Sequence, residues 1–172
     1  MRGHPLITAV AMAAVGGVAF VIVYFDPEAL FTVHRVDEGQ PATMATPVNS
    51  TAAAATPRAS ATSPAVIASG RFRDLEHATV GTASVLRLGD GSFVVRLEGF
   101  STSDGPDVHV TLSPVPPTAG QNDFTAYLDL GSLKGNQGNQ NYPVPAGTDI
   151  ARYRSVVIWC RRFAVGFGVA PI

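Results

Sequence analysis

From Ser69 onward, apolar residues recur in steps of two. Phe93, Val95 and Leu97 hold every second position after the turn-forming Gly89-Asp90-Gly91, and Val85 to Leu88 precedes that turn, which predicts a hairpin. Val108, Val110 and Leu112 alternate with Asp107, His109 and Thr111 beyond Asp104-Gly105-Pro106, and Ala126, Leu128 and Leu130 repeat the pattern. Gly70 to Arg73, Val156 to Cys160 and Phe163 to Val169 bring the count to about seven short strands. No window of helix length carries an apolar period near 3.6. The expected fold is all-β, an antiparallel β-sandwich of about seven to nine strands that buries one alternating face of each strand.

Upstream, the texture changes twice. Leu6 to Phe25 contains no charged residue. Twenty residues at about 1.5 Å rise match the roughly 30 Å hydrocarbon core of a bilayer. Arg2 and His4 precede the run, and Asp26 and Glu28 follow it. This asymmetry places residues 1–5 in the cytoplasm, residues 6–25 across the cell membrane as a single-pass helix or signal anchor, and the rest on the extracytoplasmic side. A cleaved signal peptide is the alternative, but the run ends in the bulky Val23-Tyr24-Phe25-Asp26-Pro27 where small residues are needed. Residues 26–68 read as a linker. Gln40 to Ala68 consists mostly of Ala, Thr, Pro and Ser, with one charge, Arg58, and no aromatic residue, too little apolar surface to offset the entropy of ordering it. The organisation expected is therefore tip, anchor, stalk, and a domain over 69–172.

Composition narrows the function. Net charge is −1, and no basic stripe interleaved with aromatic residues supports nucleic-acid binding. No Gly-x-Ser-x-Gly, phosphate loop, His-Glu-x-x-His or Cys-x-x-Cys is present, so hydrolase, nucleotide and thioredoxin-like chemistry lack a signature. What stands out is Val156-Val157-Ile158-Trp159-Cys160-Arg161-Arg162, which sets the only tryptophan beside the only cysteine. A lone thiol outside the cytoplasm is either a small buried hydrophobe or a reactive group, and both readings stay open here. Within a strand, Cys160 shares a face with Val156, Ile158 and Arg162, while Arg161 lies opposite. Trp159 is expected to pack on a core or at the rim of a cleft, with electron relay as the alternative.

His77 and His109 are the histidines of the domain. Together with Cys160 they could supply two imidazoles and a thiolate, a blue-copper ligand set. Yet no methionine follows Met44 and no histidine follows Cys160, so no metal is assigned. Without a Cys-x-x-Cys-His, no haem is assigned either, and any cofactor stays unknown. Otherwise His77 reads as a loop side chain and His109 as an outward-facing strand residue. Asp107 either satisfies turn amides or places a polar group near the cysteine, and Tyr142 anchors a loop through its hydroxyl.

The order of these pieces carries a resemblance. Gly70-Arg71-Phe72, His77, Gly81, Gly105-Pro106-Asp107-Val108-His109-Val110, Gly138-Asn139-Gln140-Asn141-Tyr142-Pro143, Ile158-Trp159-Cys160 and Phe167-Gly168-Val169-Ala170 together resemble the DM-13 domain family over about 70–172. The resemblance implies a redox or electron-transfer role centred on the cysteine; Cys160 is the redox candidate, His77 and Asp107 are the polar residues read as candidate site members beside it, and a redox protein is the candidate partner. The alternative of a different class is a non-catalytic binding or structural module of the cell envelope. Whether the domain is an enzyme stays open.

Overall fold

A computed structural model describes residues 33–41 and 63–172. The described chain forms ten strands: β1 (Arg35–Asp37), β2 (Ala65–Arg71), β3 (Arg73–Asp74), β4 (Val80–Arg87), β5 (Phe93–Ser101), β6 (Val108–Ser113), β7 (Leu128–Ser132), β8 (Gln137–Pro143), β9 (Ser155–Cys160) and β10 (Val165–Pro171). They build two five-stranded sheets, β1-β8-β5-β4-β2 and β3-β10-β9-β6-β7. The all-β sandwich read from the alternation is present, with more strands than the expected seven to nine.

The alternating residues do what their spacing implies. Val85, Val95 and Leu97 of the first sheet meet Val110, Leu112, Val156 and Ile158 of the second, and each is fully buried. Burying one such side chain stabilises the fold by roughly 1.5–3 kcal/mol. The second sheet departs from the simple one-face pattern, because β6 and β9 are buried along their whole lengths. The segment between β6 and β7 crosses the outer face, and its Phe124 joins Val157, Trp159 and Val169 in a second apolar cluster. Arg73 secures that crossing by donating to the carbonyls of Pro117 and Ala119.

Three differences from the sequence reading have physical causes. Gln137–Pro143 has no apolar alternation, yet it is an inner strand between β1 and β5. Its polar side chains are satisfied internally: the fully buried Gln140 donates to the Gly135 carbonyl at 2.7 Å and accepts from the Gly135 amide at 3.2 Å. Tyr142 anchors a loop as expected, its hydroxyl accepting from the Lys134 amide at 2.9 Å and donating to Gln140 Oε1 at 2.7 Å, but it does so from within a strand. Second, Arg35–Asp37 falls inside the segment read as linker and pairs in parallel with β8, while β2 begins at Ala65. Third, Phe163 does not start the last strand: Arg161 to Ala164 form a turn, Ala164 has φ 51°, and β10 begins at Val165.

The candidate span 6–25 lies outside the described residues. Among the described residues, no helix is long and apolar enough to cross a membrane.

Candidate functional site

Cys160 closes β9, opposite Val108 on one side and Val165 on the other. Its side chain is fully buried in the cluster between the sheets, with Val108, Val156, Ile158 and Phe167 among the members. Trp159, one residue earlier, points to the other face of the sheet by strand alternation. It joins the second cluster, with its ring centroid 5.9 Å from that of the half-exposed Tyr127. The expected proximity of Arg162 to the thiol does not arise, because the strand ends at Cys160 and Arg162 is carried into the exposed turn.

On the Trp159 side of the sheet lies a charged network. His109 stands across from Trp159 in the ladder. It is buried, contrary to the outward exposure expected of it, with Asp107 and Asp129 set against its two ring nitrogens. Its Nε2 lies 3.0 Å from Asp107 Oδ1 and its Nδ1 2.9 Å from Asp129 Oδ1. A neutral imidazole carries one N–H and can donate to one carboxylate, whereas the imidazolium donates to both. Arg161 ties the same two carboxylates from outside, through Nε to Asp107 and Nη1 to Asp129, both at 3.2 Å. Burial alone would raise the Asp129 carboxyl, but hydrogen bonds from His109, the Gly131 amide and Arg161, together with the charge of His109, hold it below the usual carboxylate range. Hydrogen bonding to Asp129 and the charge of Asp107 in turn raise Arg161.

Asp107 therefore does not satisfy turn amides with its carboxylate. Its backbone carbonyl accepts from the Arg161 amide at 3.0 Å, and its side chain belongs to the network across the sheet from Cys160. His77 lies against Phe167, with ring centroids 3.9 Å apart, and its amide donates to the Phe167 carbonyl. No hydrogen bond or ion pair among the described residues joins it to Cys160 or Asp107. The grouping of His77, His109 and Cys160 is not assembled, since His109 and Cys160 occupy opposite faces of one sheet. Sequence reasoning missed Asp129, although its place between Leu128 and Leu130 put it on the polar face of β7.

At the Cys160 end of the sandwich a cleft of about 230 Å³ opens between the Asp104–Val108 loop, residues 132–136 and His34. Gly105 lets that loop lie flat on the core: a Cβ there would sit 2.8 Å from Val108 Cγ2 and 3.0 Å from Phe167 Cζ. Lys134, on the cleft wall, places its ammonium 5.1 Å from the centre of the Tyr142 ring. Burial raises the Tyr142 hydroxyl to about 12, so it remains a neutral donor.

Taken together, this is a small β-sandwich whose lone thiol is enclosed next to a tryptophan and whose polar chemistry gathers at one end. The described residues place it in the class of all-β sandwich modules. The chain belongs to the DM13 family, described as an electron-transfer domain, whose pattern matches residues 71–172. No curated protein and no solved structure matches the chain significantly.

Proposed function

We propose that this protein is a membrane-anchored, extracytoplasmic electron-transfer domain that exchanges electrons with a redox partner protein at the Cys160 end of the sandwich. Family membership carries this reading. Anchoring and location rest on the uncharged run Leu6 to Phe25 and its flanking charges. The enclosure of Cys160 constrains the manner: thiol–disulfide exchange requires a thiolate to reach another sulfur, and a sealed side chain offers no such approach. Electron exchange without bond formation does not need that access.

The same enclosure favours the second reading, a non-catalytic binding or structural module of the cell envelope in which Cys160 is a core residue. A mediated redox titration of the full chain in detergent separates the two. Reversible one-electron oxidation that disappears in Cys160→Ala, the electron passing to the mediator and returning on re-reduction, supports the first reading. A chain with no titratable couple leaves the binding module.

A further inference from the structure

We propose that the β9–β10 turn, Arg161 to Ala164, is a docking tip for an anionic membrane surface, with Phe163 seated at the headgroup boundary and Arg162 paired with lipid phosphates. This rests on the anchor reading above and adds an orientation to it.

Strand register fixes which end of the sandwich is involved. Cys160 pairs with both Val108 and Val165, so the turn projects from the end where β6 begins. Arg35 pairs with Gln137, and Gln137 with Ser101 at the close of β5, so β1 starts at that same end. Val33, where the described chain begins, and Phe163 are 60% and 62% exposed, two of the largest apolar exposures in the domain, and register puts both at this end. Seven residues, 26–32, separate Phe25 from Val33, and fully extended they reach at most about 25 Å. An anchor at 6–25 would thus keep Val33 within that reach of the bilayer.

The turn is also shaped for contact. Ala164 holds a left-handed φ of 51°, and Asn122 donates to its carbonyl at 3.2 Å, which fixes Phe163 outward. Arg161 is committed to Asp107 and Asp129, whereas Arg162 has no hydrogen-bond or ion-pair partner among the described residues. An apolar ring beside an unspent cation suits an anionic interface. The cleft lined by Asp104 and Lys134 opens at the same end, so a partner using it would approach along the membrane.

The test uses the full chain reconstituted in phosphatidylcholine vesicles with and without phosphatidylglycerol. An environment-sensitive fluorophore is attached at Phe163→Cys or, as a control at the far end, at Ala146→Cys, and the unsubstituted chain reports any background from Cys160. Nitroxide-headgroup lipids should quench the probe at 163 several-fold more than at 146, and adding Arg162→Glu should reduce that excess in anionic vesicles. Equal quenching at the two positions overturns the docking tip. Alkaline carbonate extraction reads the anchor separately. A chain that resists carbonate but is not preferentially quenched at 163 keeps the anchor and loses the tip, and a chain stripped by carbonate yet quenched at 163 beforehand does the reverse.

Discussion

A thiol that ends a strand and faces the space between two sheets behaves as a small hydrophobe unless something opens a path to it. Cys160 is fully buried among Val108, Ile158 and Phe167. A thiol probe is therefore expected to label it only after unfolding, and Cys160→Ser should lower stability by about 1–3 kcal/mol by placing a hydroxyl in an apolar site, measurable in a urea melt. Rapid labelling of the folded protein would show a path that the packing does not. Asp129 supplies a pH signature. Its folded carboxyl is held below the ordinary carboxylate range, so its contribution to stability is present above the unfolded value near 3.8 and is lost as pH falls through the lower folded value. Asp129→Asn should cost stability at neutral pH, and the gap to the parent chain should close in melts taken at progressively lower pH.

Among the elements, β1 is the one whose existence depends most on its surroundings. Three residues in extended conformation have no stability of their own. They are held by the ladder to β8, by Arg96 donating to the carbonyls of Glu38 and Gly39, and by the Lys134–Glu38 ion pair at 2.7 Å. Gly138 makes the pairing possible, since it has φ 104° and a Cβ there would overlap the Val36 carbonyl. Gly138→Ala should release residues 33–41 while leaving the two sheets folded. The expected readout is rapid amide exchange over 33–41 together with a cooperative melt at lower temperature. Unchanged protection of Val36 would show that another contact positions β1.

For the molecule as a whole, the testable statement is its orientation. Protease added to intact cells or spheroplasts should remove the sandwich and leave a fragment containing 6–25 with the membrane. A mature chain beginning after Phe25, or a domain protected in the cytoplasm, would overturn the anchor and with it the extracytoplasmic half of the proposed function. The electron-transfer half would stand apart from that result, because it derives from the match over 71–172.

Much of this architecture is legible from residue order because burial acts on period. Alternation puts Val95, Leu97, Val110 and Leu112 on one face of their strands, and all four are fully buried. The family pattern was likewise readable from Gly-Pro-Asp, Asn-Tyr-Pro and Ile-Trp-Cys in that order. The site was less legible. A polar strand such as β8 gives no periodic signal, since its stability comes from Gln140 bonding to Gly135 and from strands far away in sequence. Alternation gives His109 a face without saying what lies against it, and its partners there are Asp107 and Asp129, themselves tied by Arg161. The sequence determined which side chains leave water, a local property of each strand. Only the tertiary structure decided that Cys160 is sealed on one face while the histidine and its carboxylates gather on the other, because that depends on which distant strands become neighbours and in what register.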